Sequence, residues 1–512
     1  MSSRDTILII DFGGQYAHLI ARRIRGLNVY SEIVAARDLS RDLVERIRPK
    51  GVILSGGPSS VLDPGSPLPP RWITELGIPV LGICYGHQAL AKEFGGKVSR
   101  GRGEFGRTFI RILYKDPIVE GLEDREEVWM SHSDYVEKPP ENSDVIAVSE
   151  DTGYIAAFKL RDKPVYGVQF HPEVSHTKKG LKILDNFIRI SGASRSWRAG
   201  DMVENIIRDI SDRVGKDEKV LCAVSGGVDS TVTALLIRKA IGDRLVAVFV
   251  NHGFLREGEA EEVLRSLRDL GIEPRYIDAS ERFLRALKGV SDPEEKRRII
   301  GKIFAEIFIE IVREDPSIKW LAQGTTYPDV IESGSRPHSA KIKTHHNVGG
   351  LPKDLGLKLL EPLREFYKDE VREIGRRLGI PENILRRHPF PGPGLAVRIL
   401  GEISDEKLRI IRRASAIVEE EIRRAGLYER LWQVFPVLTE SMWVGVAGDV
   451  RREGFILILR AVESEDGMTA DWARIPYEVL DRISLRITSE IPEITMVAYA
   501  VTPKPPSTIE AQ

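Results

Sequence analysis

Cysteine is nearly absent. Cys84 and Cys222 are the only two in 512 residues, too few and too far apart for a disulfide framework, which points to a reducing cytoplasm. Long apolar runs are missing as well: no stretch approaches the roughly 20 residues that cross a bilayer. The first residues lack the long apolar core and small-residue cleavage site of a secretory leader. Neither sign of charge is in excess, with 75 Lys and Arg against 76 Asp and Glu and a formal net charge of -1. No overall field therefore draws a polyanion, and small molecules rather than nucleic acid or membrane are the expected partners. No C-x-x-C pair occurs, and His345 and His346 are adjacent rather than spaced as ligands, which argues against a zinc site.

What is present is ordinary globular composition, 42% hydrophobic and 29% charged. The chain exceeds the roughly 250 to 300 residues at which one core stops growing, so several domains are expected. Short apolar runs at 7–10, 52–54, 80–83 and 165–170 alternate with amphipathic stretches such as 16–27, the pattern of a parallel-sheet α/β domain. A small, polar stretch at 191–200 reads as a linker. A second α/β series follows, with strands near 219–224, 245–250 and 274–277. The string His388-Pro-Phe-Pro-Gly-Pro-Gly-Leu395 breaks both periodic structures. Beyond it come a long helix at 405–425, strands near 443–447, 455–462 and 495–501, and a helix near 477–489, without βαβ alternation. The expected fold is α/β, two doubly wound parallel-sheet domains at 1–193 and 200–387, followed by a smaller α+β domain at 388–512.

Gly82-Ile-Cys-Tyr-Gly86 follows an apolar strand and precedes a helical run, so Cys84 is expected on a nucleophile elbow. There the helix N-terminus favours a thiolate, and the Tyr85 N–H is aimed where an oxyanion forms. Tyr166-Gly-Val-Gln-Phe-His-Pro-Glu173 places a base, His171, and a carboxylate, Glu173, at a strand end, where the second can orient the first. Ser55-Gly-Gly-Pro58 supplies a glycine turn whose Gly57 amide is a second candidate oxyanion donor. These three strings, in this order, resemble class I, triad-type glutamine amidotransferases. The resemblance implies that Cys84 attacks the glutamine carboxamide while His171 shuttles protons, giving a glutamyl thioester and ammonia.

Ser225-Gly-Gly-Val-Asp-Ser230 lies between the second domain's first strand and the following helix. Backbone N–H groups of Ser225, Gly226, Gly227, Val228, Asp229 and Ser230 can surround phosphate oxygens there, with the helix dipole behind them. The G-K-[ST] ending of a Walker loop is absent. Asp229 instead suits a Mg²⁺ ion held jointly with ATP phosphates. The string resembles the PP-loop of N-type ATP pyrophosphatases, which release pyrophosphate while adenylating an acceptor oxygen. From 333 to 353 there is no acidic residue, and Lys341 and Lys343 in that stretch are candidate clamps on the leaving pyrophosphate.

The order of the two signatures and the third domain resembles the glutamine-hydrolysing GMP synthases over nearly the whole chain. Supporting strings include Gly324-Thr-Thr-Tyr-Pro-Asp329, Arg387-His-Pro-Phe390 and Lys504-Pro-Pro-Ser-Thr-Ile-Glu510. The resemblance implies that xanthosine monophosphate (XMP) is adenylated by ATP and aminated to GMP, with Mg²⁺ required. It also implies XMP contacts from Lys504 and Glu510, with Arg387 and Arg398 as further candidates, and a homodimer through the third domain. Asn251 stands where the family pattern leads to Asp, and Glu493, Thr495, Met496, Ala500 and the ending Ala511-Gln512 also depart from it. An amidotransferase of the same build acting on another acceptor is the alternative, and a sensor with an inert triad is a second.

Overall fold

The structure is a computed structural model describing residues 4–332, 356–447, 449–464, 467 and 469–511. The chain forms two compact units, 1–198 and 199–512.

In the first unit the leading elements are β1 (Thr6–Asp11), α1 (Ala17–Gly26), β2 (Tyr30–Ala35), α2 (Arg41–Ile47), β3 (Gly51–Leu54), β4 (Val80–Ile83) and α3 (Tyr85–Glu93). They are followed by β5 (Lys97–Ile112), β6 (Arg125–Lys138), β7 (Ser143–Ser149), β8 (Ile155–Leu160), β9 (Val165–Val168) and α4 (Gly180–Ser191). Nine strands make one sheet in the order β2-β1-β3-β4-β9-β8-β7-β5-β6. The first five pair in parallel, and β1, β3, β4 and β9 are buried at every position, as strands covered on both faces must be. Helix α1 buries Ala17, Ile20, Ala21 and Ile24, one stripe at helical spacing. The remaining strands pair antiparallel, an extension that the expected parallel series did not include. Strand β6 alternates buried and exposed positions, because one face of that part is solvated.

The second unit begins with α5 (Val203–Arg213), β10 (Lys219–Ala223), α6 (Val228–Ile241), β11 (Leu245–Asn251), α7 (Glu259–Asp269), β12 (Arg275–Asp278), α8 (Ser280–Leu287) and α9 (Pro293–Glu314). Then come β13 (Ile318–Ala322), α10 (Tyr327–Glu332), β14 (Lys358–Leu360), α11 (Lys368–Leu378) and α12 (Glu382–Leu385). The sheet β12-β11-β10-β13-β14 is parallel throughout. The last part holds α13 (Asp405–Arg424), β15 (Gln433–Ala447), β16 (Val450–Glu463), β17 (Asp471–Trp472), α14 (Tyr477–Glu490) and β18 (Ile494–Tyr499). Ser404 caps α13 by accepting from Lys407 N, with Asp405 and Glu406 in the first turn and Arg423 and Arg424 in the last, each sign where the helix dipole favours it. Position 388 falls inside this unit. The two sheets lie on either side of it, yet Leu221, Phe283 and Ile307 share one hydrophobic core with Ile411, Leu457 and Ile483.

Candidate active site

In both parallel sheets the chain reverses direction beside a central strand: β1 lies between β2 and β3, and β10 between β11 and β13. Ligands bind in the crevice outside the carboxyl ends of strands at such switch points; the 225–230 turn follows β10 itself, whereas Cys84 follows β4, two strands from β1.

In the first unit Cys84 occupies the turn from β4 into α3 with φ +52 and ψ -101. A left-handed conformation at a non-glycine residue costs about 1–3 kcal/mol. The frame can hold it: Ile7, Leu8, Ile9 and Ile10 of β1 are all 0% exposed, and each fully buried side chain of this kind contributes about 1.5–3 kcal/mol. The flanking glycines serve packing rather than the strained dihedral, which falls on Cys84 itself. A Cβ on Gly86 would lie 2.4 Å from the Leu54 carbonyl oxygen, and one on Gly82 2.5 Å from the Gly86 backbone. The Cys84 N–H donates to the Val168 carbonyl at 2.9 Å, tying the elbow to β9.

Strand β9 then delivers His171 and Glu173. His171 Nδ1 lies 2.7 Å from Glu173 Oε1, both side chains buried, and His171 Cε1 and Cys84 Cβ both come within 4 Å of a Cβ placed on Gly56. Burial alone would lower the His171 pKa, but Glu173 and Cys84 together hold it well above its ordinary value. The Tyr16 ring meets the imidazole edge-on, centroids 5.1 Å apart. The His171 N–H donates to Trp129 O at 3.0 Å, and Thr177 Oγ1 donates to His171 O at 2.7 Å. The thiol also faces the Ser131 carbonyl at 3.7 Å. Tyr85 is the first residue of α3, so its N–H has no acceptor within the helix. In the turn after β3, a Cβ on Gly57 would press on Phe12 and the Tyr85 ring, and one on Gly56 would lie 3.2 Å from His171 Cε1.

In the second unit the 225–230 turn joins β10 to α6. Gly226 has φ +76, and a Cβ there would lie 2.3 Å from Val263 of α7, so this position demands glycine. Ser230 Oγ accepts from Ser225 N at 3.2 Å and lies 3.2 Å from Ser225 Oγ; Gly227 caps α6. Asp229 Oδ2 accepts from Lys368 Nζ at 2.7 Å, while Asp229 Oδ1 is buried with no hydrogen-bond partner. Burial works against the Lys368 charge, and Asp229 outweighs it, so the Lys368 pKa is raised. Lys368 was not among the sequence candidates. The signal was its place at the start of a helix, where the dipole disfavours a cation.

Of the four residues expected to contact XMP, Arg398 and Glu510 meet, while Arg387 and Lys504 take other partners. Arg387 joins the 225–230 turn, donating to Gly226 O at 3.3 Å and pairing with Glu262. Arg398 is 2% exposed and donates to Glu510 at 3.0 Å, its guanidinium 4.1 Å from the centre of the Phe435 ring. Gln433 donates to the same carboxylate, a partner with no signature in sequence. Lys504 instead donates to Gly467 O at 2.8 Å and pairs through its backbone with Ala470. The tail is fixed by Arg460, which donates to Thr502 O at 2.6 Å and Thr508 O at 3.0 Å. Lys341 and Lys343 lie outside the described residues. Among the described residues no cluster of three or more His, Cys, Asp and Glu is arranged to hold a metal, and no helix is long and apolar enough to cross a membrane.

Three family profiles match the chain: "Glutamine amidotransferase class-I" over 8–190, "NAD synthase" over 201–302 and "GMP synthase C terminal domain" over 420–511. Proteins named "GMP synthase [glutamine-hydrolyzing]" match end to end. That of Pyrobaculum aerophilum is 58% identical over 508 residues, covering 99% of both chains. That of Aquifex aeolicus is 53% identical with 99% of both covered, and that of Aeropyrum pernix 54% with 98% of both covered.

Proposed function

The chain belongs to the family of glutamine-hydrolysing GMP synthases, and from that premise we propose how its residues divide the work of aminating XMP to GMP at the expense of ATP. Cys84 is the nucleophile. His171 takes its proton, the thiolate adds to the glutamine carboxamide carbon, and the Gly57 and Tyr85 amides receive the developing oxyanion. His171 then protonates the leaving nitrogen, ammonia departs, and water attacking the glutamyl thioester releases glutamate and restores the thiol. Glu173 keeps the imidazole oriented and supports its charge. The observation that carries this reading is the His171–Glu173 pair, 2.7 Å apart, placed around Gly56 with the strained Cys84 turn.

In the second unit the 225–230 backbone cradles ATP phosphates. The XMP carbonyl oxygen attacks the α-phosphorus, pyrophosphate leaves, and ammonia displaces AMP from the adenylated base. The buried, unpartnered Asp229 Oδ1 suits a Mg²⁺ ion bound together with ATP, which would neutralise charge on the pyrophosphate. Lys341 and Lys343 would clamp the same group. Arg398, Glu510 and Lys504 are the XMP contacts, with Gln433 beside them and Arg387 assigned to the ATP turn rather than to XMP. The functional division is 1–193 for glutaminase, 200–387 for ATP pyrophosphatase and 388–512 for XMP binding and dimerisation. A homodimer through the last part is supported by Met442, Trp443, Val444, Val446 and Val450, all exposed on the β15–β16 hairpin. Two free cysteines agree with work in the cytoplasm.

The test is product analysis with the purified chain, XMP, ATP, Mg²⁺ and glutamine. GMP, AMP, pyrophosphate and glutamate should appear in equal amounts. AMP release with another nucleotide and no GMP from XMP would replace the acceptor.

A further inference from the structure

Behind the Cys84 turn lies a buried polar string that the steps above do not use. Ser131, whose carbonyl faces the thiol, is followed on β6 by His132, which is 5% exposed. His132 Nε2 lies 3.0 Å from Glu104 Oε2 on β5, and its Nδ1 lies 2.9 Å from Asp134 O. Glu104 also accepts from Ser149 Oγ at 2.5 Å and Thr152 Oγ1 at 3.1 Å. Burial would raise the Glu104 pKa, but His132 and the two hydroxyls together lower it. His87 of α3, fully buried, has its pKa pulled down to about 3 by burial, with His132 adding to the effect.

Building on the assignment of Cys84 as the glutaminase nucleophile, we propose that Glu104, acting through His132, is a positioning residue that sets the wall of the glutamine pocket opposite the thiol. Glu104 and His132 are direct cross-strand partners, and the β5–β6 register shifts between Arg100 and Glu104. A one-residue slip past that shift would turn Ser131 to the other face. The pair fixes the register at the first position past the shift. Gln88 of α3 donates to Asp134 O at 2.7 Å, so the segment 131–134 is held to both β5 and the helix that carries Cys84. Stability alone does not call for two buried polar groups here, because packed apolar groups of similar volume are often at least as stabilising. Neither residue touches the reacting atoms, so the effect falls on binding geometry.

The experiment compares Glu104→Ala and Glu104→Gln with wild type and Cys84→Ala, using glutamine and ammonium as nitrogen sources. Glu104→Ala should raise the glutamine KM about tenfold while kcat changes less than about threefold, the split expected when ground-state placement is lost. Glu104→Gln keeps an acceptor for Ser149 and His132 and should bring KM back to within about twofold of wild type. Ammonium-dependent synthesis should be unchanged in both. An unchanged glutamine KM in folded Glu104→Ala, a parallel fall with both nitrogen sources, or a kcat loss at constant KM would overturn the proposal. Glutamine-dependent synthesis surviving in Cys84→Ala would instead overturn the glutaminase assignment on which it rests.

Discussion

The turn after β4 and the turn after β10 each lie at the carboxyl end of a parallel strand, the second at its sheet's switch strand and the first two strands from it, and they are built in opposite ways. In the first, backbone strain sits on Cys84 itself, and His171 and Glu173 pair 2.7 Å apart beside it. In the second, the positive φ falls on Gly226, which takes it without strain, the serines bond within the turn, and one oxygen of Asp229 is left without a partner. A covalent site must bring its own groups together, whereas a phosphate cradle presents backbone donors and an acidic oxygen to a ligand that completes it. The contrast separates a site that makes a nucleophile from one that activates its target.

Breaking the second turn should have the widest effect. Asp229→Ala is expected to lower GMP formation about 10³-fold or more with either nitrogen source, since electrostatic support of phosphoryl transfer is lost for both; an ammonium-dependent rate near wild type would show that this carboxylate is dispensable. Disturbing the first turn should be selective. Glu173→Gln is expected to lower glutaminase activity about 10²-fold or more, because the imidazole loses both orientation and charge support. It should also shift the His171 limb of the pH–rate profile to lower pH, since burial would then act against the imidazolium with less opposition. The sign for stability follows. A raised folded-state value means that the Glu173 contribution is fully present below about pH 6.5 and is lost as pH rises through the folded value. Thermal scans at acid and alkaline pH should therefore differ more in wild type than in Glu173→Gln.

Far from either turn the effects should be small. Thr495 departs from the family pattern, but its hydroxyl donates to Trp443 O at 2.7 Å and lies 3.1 Å from Gly454 O. Thr495→Val should cost about 1 kcal/mol, the usual net worth of such a bond, read by denaturant unfolding with both activities intact. Glu493, another departure, pairs with Arg409. These changes have local partners in the fold.

The two turns were legible in sequence because each is a local string: strand, small residues, reactive side chain, helix. His171 and Glu173 were legible as a base and a carboxylate two positions apart after an apolar strand, but that this strand lies beside β4 is a pairing across some 85 positions that the structure supplies. What escaped was long-range. The antiparallel half of the first sheet rests on pairings such as β7 with β5, which no short window specifies. The ion pair of Lys368 with Asp229 spans 139 positions, and Arg387 reaches the 225–230 turn from just past α12, across 161 positions. The core that continues across position 388 was hidden behind a proline and glycine string that breaks helices and strands without separating the packing around them.

The most direct test of the division of labour is GMP formation by Cys84→Ala, measured with glutamine and with ammonium. Glutamine-dependent synthesis should fall about 10⁴-fold or more, with ammonium-dependent synthesis within about twofold of wild type. Loss of both in the folded variant, or survival of both, would contradict it.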